Sequence, residues 1–301
     1  MLRAFGPGDI PAYSELYRKY FPEEAAILLA DPAAMEGAVR RAYRLSVRFV
    51  LALLRLAGVT FVFYDRPVGH ISSVVVDAPY RGRGFARRMV AAAEASARRR
   101  GCRHTFLEVL EENVPAIRLY ESMGYRRVRR IAWFARETGG SAPALPEPPT
   151  ARPGSGLRPF RRSDAEALVP LAEARRLAAE RSIRPVHPGQ FRVPPSVVQT
   201  LGGATEAWVH VGPGGRPDGF VRASTSGAMG SGHLTAPLWS PDLGESEASA
   251  LFDEGLAWFR GTPIRRVVCE APEDDVLLVR RLADRGFRRG LGLHTMAKPL
   301  G

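Results

Sequence analysis

The sequence predicts a mixed α/β protein in which one domain plan occurs twice. Three observations carry that expectation. Runs rich in β-branched and aromatic residues alternate with segments of helical period. The stretch "TGGSAPALPEPPTARPGSG", Thr138 to Gly156, is rich in Pro, Gly and Ser and has no apolar periodicity, so it reads as a linker. Directly after it the sequence begins again: "LRPFRRSDAEAL" from Leu157 echoes "LRAFGPGDIPAY" from Leu2, pairing Leu2 with Leu157, Arg3 with Arg158, Phe5 with Phe160 and Asp9 with Asp164. At a slightly larger offset Pro79, Gly82, Ala86, Glu108 and Gly124 align without gaps to Pro241, Gly244, Ala248, Glu270 and Gly286. The expected organisation is a first domain over residues 1–138, a linker over 139–156 and a diverged second copy over 157–301.

Within the first copy a short strand at residues 2–6 leads into a helix with Asp9 as its N-cap and Tyr13, Leu16, Tyr17 and Tyr20 on one stripe. A second helix is expected from about Ala33 to Arg44. Strands follow near 47–54, 58–64 and 69–77, the first of which reads equally well as an extension of the helix. Helix Phe85–Arg100, strand Thr105–Leu110, helix Pro115–Met123 and strand Tyr125–Arg136 complete an α/β unit with a mixed sheet.

Composition limits the function classes. At 301 residues, 45% hydrophobic and 25% charged, the chain has the material for about two buried cores. No N-terminal stretch has the layout of a signal peptide, and the longest apolar region, Phe49 to Tyr64, carries Arg55 and falls short of the roughly 20 residues a membrane helix needs. The expectation is a cytoplasmic protein with no membrane partner. Cys102 and Cys269 stand far apart, without CxxC spacing, and support neither a disulfide framework nor a zinc site. The formal charge of +12 is almost all arginine, Lys19 and Lys298 being the only lysines, and Asn113 is the only asparagine. Such a bias reads as a solvated basic surface that favours anionic ligands, not as a nucleic-acid groove.

The sharpest local signal is "YRGRGFARRM", Tyr80 to Met89, between the strand residues Val74, Val75 and Val76 and an alanine-rich helix. A glycine turn there presents backbone N–H groups at a helix N-terminus, where a phosphate is well held. It is not a dinucleotide fingerprint, since GxGxxG would need glycine at Arg87, and no Walker motif occurs. A second motif, "LEVLEENVPAIRLYESMGYRRV" from Leu107 to Val128, combines a strand, an asparagine, a short helix ending Leu-Tyr-Glu and a Gly-aromatic turn. Together the two motifs resemble the signatures of the GCN5-related N-acetyltransferase (GNAT) superfamily, and the region is similar to enzymes that acetylate the N-terminal amine of ribosomal proteins.

That resemblance implies two tandem domains, each a mixed, mostly antiparallel twisted sheet flanked by helices, with acetyl-CoA as acyl-donor co-substrate and no metal. It makes Arg81, Gly82, Arg83, Gly84, Phe85, Ala86 and Arg87 the pyrophosphate cradle. Val74, Val75 and Val76 would pair with the pantetheine arm where their strand splays from its neighbour. Asn113 offers an amide donor and acceptor to that arm, and the phenol of Tyr120 suits the thiolate expelled when an amine attacks the thioester. Glu108, twelve residues before Tyr120, is the candidate general base. Its counterpart Glu270 persists in the second copy, which is what a residue serving the fold would also do. His70 is the other titratable candidate, and Glu111 and Glu112 either attract a cationic amine or form a solvated loop.

The function expected from these residues is transfer of acetyl from acetyl-CoA to a primary amine, of a small molecule or a peptide N-terminus, by direct attack in a ternary complex. An acyl-CoA sensor without catalysis is the first alternative, against which Tyr120 argues; a basic nucleic-acid-binding module is the second. In the second copy Leu243, Glu245, Ser246 and Ser249 replace Arg81, Arg83, Gly84 and Arg87, while Leu282 and Asp275 replace Tyr120 and Asn113. That copy is expected to bind no CoA and to pack on the first as a second subunit would.

Overall fold

The computed structural model describes residues 2–3, 5–22, 52–53, 58–139, 143–149, 156–191, 203–226 and 231–301. The helix expected over Ala33–Arg44 and most of the strand expected at 47–54 lie outside the described residues. In the first half β1 is Leu2–Arg3, α1 Ile10–Tyr20, β2 Ala52–Leu53, β3 Gly58–Asp65, β4 Val68–Val76, α2 Phe85–Arg99, β5 His104–Leu110, α3 Val114–Ser122 and β6 Arg126–Glu137. In the second, β7 is Leu157–Pro159, α4 Ala165–Ala174, α5 Ala178–Ile183, β8 Thr205–Val211, β9 Pro217–Ser226, β10 Ser231–Leu234, β11 Leu238–Trp239, α6 Glu245–Ala257, β12 Arg266–Pro272, α7 Val276–Asp284 and β13 Arg288–Pro299.

Periodicity explains the two layers on the sheet. Along β3, Val59 and Phe61 point to α1, where Tyr13 meets Phe61 edge to face at 4.9 Å, and Val62 points to the opposite face, against Val90 and Ala93 of α2. The stripe Tyr13, Leu16 and Tyr17 is buried as its spacing predicts. Along β9, Phe220 packs under α4 and Val221 under α6. One face of the sheet therefore carries α2, α3, α6 and α7, and the other carries α1, α4 and α5.

A single sheet runs through both halves in the order β1-β2-β3-β4-β5-β13-β6-β12-β10-β9-β8-β7, with β11 pairing β9. Its pairs are antiparallel except β4 with β5 and β10 with β12. The halves meet by exchanging their last strands. β13, from the end of the chain, lies between β5 and β6, while β6 pairs on its other side with β12 from Arg266↔Glu137 to Pro272↔Ile131. The described linker residues 143–149 are pinned from both halves: Arg136 donates to the Pro143 and Ala144 carbonyls, and Arg260 to those of Leu145 and Pro146.

The repeated openings fold alike. Asp9 and Asp164 each end a short 3₁₀ turn before a helix, and each carboxylate accepts from the backbone N–H three residues earlier, Gly6 at 2.8 Å and Arg161 at 2.7 Å. Asp9 thus stands at the N-cap of α1 as expected, but its side chain reaches back to close the turn instead of capping the helix. In the second copy Arg158 adds a two-pronged contact to Asp164, both prongs at 2.8 Å.

Candidate active site

β4 and β5 pair only at Val68↔His104, Gly69↔Thr105 and His70↔Phe106. Beyond His70 the strands part, so the main chain of Val74–Val76 faces a gap instead of a neighbouring strand. A bulge marks the departure: Ser73 has φ +53°, and the register with β3 shifts between Val59↔Val75 and Phe61↔Ser72. The gap opens into a cleft of about 520 Å³ that runs from the glycine turn to Tyr120 and brings together Val74, Val75, Val76, Arg81, Gly82, Gly84, Phe85, Ala86, Arg87, Asn113 and Tyr120. Arg83 is not on its wall; its guanidinium stands 5.8 Å over the Tyr80 ring.

The turn has the geometry a phosphate needs. Gly82 and Gly84 have φ of +74° and +71°, a region L side chains rarely enter, and Gly84 is the left-handed N-cap of α2, with no side chain capping the first turn. A helix N-terminus of this kind carries partial positive charge directed at the cleft. Arginine side chains frame the turn but are partly committed. Arg81 donates to the Val76 carbonyl at 3.0 Å and lies 4.5 Å over the Tyr20 ring, and Arg87 donates to Ser122 Oγ at 2.6 Å, tying α2 to α3. Asp77 anchors the base of the turn, accepting from Lys19 at 2.8 Å and from the Tyr20 hydroxyl at 2.5 Å; these contacts hold its carboxyl below the usual carboxylate range.

At the inner end Tyr120 is 5% exposed and packs among Leu107, Val109, Ile117 and Tyr125. Burial pushes its phenol above the ordinary tyrosine value, so it stays protonated. Asn113 is the N-cap of α3, its Oδ1 accepting from Ala116 N at 3.3 Å, and Asp275 caps α7 in the same way through Leu278 N at 3.1 Å. The asparagine position therefore serves the fold in both halves, a role the sequence reading did not assign to it.

The carboxylates divide. Leu107 and Val109 of β5 point to Tyr120, whereas Phe106 and Glu108 point to the opposite face, into a second cavity that also holds Glu270. Glu270 is half-buried, accepts from Trp133 Nε1 at 3.2 Å, and is raised by desolvation. His70 stacks on Phe106 at 4.2 Å and is pushed down to about 4, chiefly by burial and further by Arg184, which makes it a poor base at neutral pH. Glu111 is neither an amine lure nor a free loop carboxylate: Arg289 at 2.8 Å and Arg130 at 2.6 Å hold it, correcting that expectation. Among the described residues no cluster of His, Cys, Asp and Glu is placed to hold a metal ion, and no helix is long and apolar enough to cross a membrane.

Residues 11–125 match the acetyltransferase (GNAT) family. N-alpha-acetyltransferase 30 of Saccharomyces cerevisiae is 38% identical over 63 residues, 21% of this chain and 36% of that protein. Mycothiol acetyltransferase of Thermobispora bispora is 43% identical over 63 residues, 21% of each. The aligned stretch thus spans about a third or less of these relatives. Across the whole chain the fold matches a GCN5-related N-acetyltransferase from Sphaerobacter thermophilus, with TM-score 0.70, 19% identity and coverage of 100% of this chain and 95% of that one. It also matches a tandem GNAT protein from the clavulanic acid biosynthesis pathway, with TM-score 0.67, 15% identity and coverage of 100% and 98%. The splayed strands, the glycine turn and Tyr120, which share one cleft, all lie within the residues that match the GNAT acetyltransferase family.

Proposed function

We propose that the first half transfers an acetyl group from acetyl-CoA to a primary amine by direct attack in a ternary complex. The observation that supports this most is the cleft itself, which passes without interruption from the glycine turn along the unpaired Val74–Val76 edge to a buried, protonated tyrosine. Backbone N–H groups at Gly82 to Arg87 would hold the pyrophosphate, and the Val74–Val76 main chain would pair with the amides of the pantetheine arm. The amine nitrogen bonds to the acetyl carbon, the carbon–sulfur bond breaks, and the departing thiolate takes its proton from Tyr120. Before attack the ammonium gives one proton to Glu108, directly or by way of water, and after it the proton shed by the new amide nitrogen returns Tyr120 to its phenol form; His70, at about 4, does not compete for the first proton.

In an acyl-CoA sensor Tyr120 would be packing alone, and Tyr120→Phe would change nothing. The test is acetyl-CoA binding by calorimetry together with thiol release from acetyl-CoA in the presence of amines. Binding with amine-dependent thiol release supports transfer; binding without release from any amine supports the sensor; and no binding rejects both.

A further inference from the structure

On the face opposite α2 and α3 lies a cavity of about 460 Å³, floored by strands of both halves and roofed by α4, α5 and the turn leading to Phe191. The first half contributes Phe106 and Glu108, and the second contributes Glu270 and the segment Thr235–Leu238. Glu108 lies just beyond His70↔Phe106, the last pair before β4 leaves β5. Glu108 thus stands at the edge of that gap and points to the side away from α2.

The cavity holds both cations and carboxyl groups, and they are unevenly paired. Arg129 is paired with Glu180 at 2.8 Å and Asp274 at 2.9 Å, and Arg175 is paired with Asp275. Arg176, Arg184 and Arg222 form no ion pair among the described residues. Arg176 donates to the Arg184 carbonyl and Arg222 to that of Gln190 at 3.1 Å, while Arg184 lies 5.1 Å over the Phe106 ring. Burial lowers Arg222, and it lowers Arg176 with a further push from Arg184 that Glu180 and Glu173 only partly offset. Arg176 and Arg222 are partly buried without a paired carboxylate, and an anion beside them offsets that cost, with the exposed Arg184 close by. The floor meanwhile offers the carboxyl groups of Glu108 and Glu270.

We propose that this cavity is the acceptor site and that the acceptor is an amine carrying an anionic group, a carboxylate or a phosphate. Arg176, Arg184 and Arg222 grip the anion, and the ammonium end lies toward Glu108 at the strand gap. This rests on the acetyl-transfer reading above and adds to it both the class of the acceptor and a binding role for the second half.

The test uses the full chain saturated with CoA, with heat stability followed as matched probes are added. β-Alanine and phosphoethanolamine carry the anion; β-alanine methyl ester and ethanolamine lack it. The acidic probes should raise the transition and, with acetyl-CoA, accept acetyl; the neutral probes should do neither, and the carboxylate and phosphate arms tell the two anions apart. Arg222→Met and Arg184→Met should each weaken the response to the acidic probe by about 10- to 100-fold, as loss of a charge-assisted contact does. Arg216→Met, in the exposed turn between β8 and β9, should respond as the wild type. Neutral probes acting as well as acidic ones, no response to either acid, or cavity variants indistinguishable from wild type would each overturn the proposal. Failure of acetyl-CoA itself to bind in calorimetry would overturn the acetyl-transfer reading and this inference with it.

Discussion

The two glycine turns at the starts of α2 and α6 descend from one sequence pattern and have opposite characters. In the first half Gly82 and Gly84 are left-handed and α2 begins at Phe85, leaving a loop of backbone amides in front of it. In the second, Gly244 takes the place of Gly82 with φ −57°, and α6 begins at Glu245, two residues early by the alignment, so the helix winds through the positions of the loop. Glu247 folds back over Gly244 so closely that a Cβ there would clash with its carboxylate. A negative group thus occupies the helix N-terminus, where the first half would receive phosphate.

The same contrast continues inward. Where Val74–Val76 face an open gap, the aligned Ala236–Leu238 meet Arg175, which donates to the Pro237 carbonyl at 3.3 Å, pairs with Asp275 and lies 4.5 Å over the Trp239 ring. Arg281 takes the outer end, donating to Ser249 Oγ at 2.7 Å and standing 5.4 Å from the centroid of the Trp239 ring. The gap beside Val74–Val76 stays open, while Arg175 and Arg281 crowd the aligned segment of the second half. The contrast teaches that groups left open in one half can be met in the other by the chain's own side chains.

Four changes break or sharpen this contrast. The largest effect is expected from Tyr120→Phe, which removes the proton donor and keeps the ring: turnover should fall about 10²- to 10⁴-fold with acetyl-CoA affinity nearly intact, read by thiol release and calorimetry. Next, Gly84→Val places a β-branched residue at φ +71°, and the strain of about 1–3 kcal/mol together with the blocked approach should weaken acetyl-CoA binding about 100-fold. The equivalent change in the second half, Ser246→Val, should leave acetyl-CoA binding unchanged.

Third, Arg175→Leu leaves Asp275 without its cation in a half-buried site and should cost about 3 kcal/mol of unfolding free energy by denaturant titration, without creating a second CoA site. The smallest effect concerns Asp164, whose carboxyl is held low chiefly by Arg158. A depressed folded value gives stability that is present above the unfolded pKa, about 3.9, and lost as pH falls through the folded value. Asp164→Asn should therefore cost about 1–2 kcal/mol at pH 7 and progressively less as the pH falls below about 3.9, as measured by denaturant midpoints across that range.

Much of this contrast was legible in the sequence. The spacing shared by Asp9 and Asp164, the glycines of the turn and the loss of Arg81, Gly84 and Tyr120 from the second copy all depend on local residue type, which the chain displays directly. The face occupied by Glu108 also follows from its alternation with Leu107 and Val109. The strand exchange was not legible, because the period of β13 says which of its residues are buried and nothing about which strands flank it. Nor was the plug: Arg175 reads as one arginine among many until Trp239, Pro237 and Asp275 converge on it. Glu111 failed as an amine lure for the same reason, since Arg289, far along the chain, holds it.

The central claim is that one half of this chain binds acetyl-CoA and the other does not, and calorimetric titration of the full chain with acetyl-CoA tests it most directly. The account predicts one acetyl-CoA per chain, with binding weakened about 100-fold in Gly84→Val and kept in Ser246→Val. Two sites per chain, or one site of undiminished affinity in Gly84→Val, would contradict it.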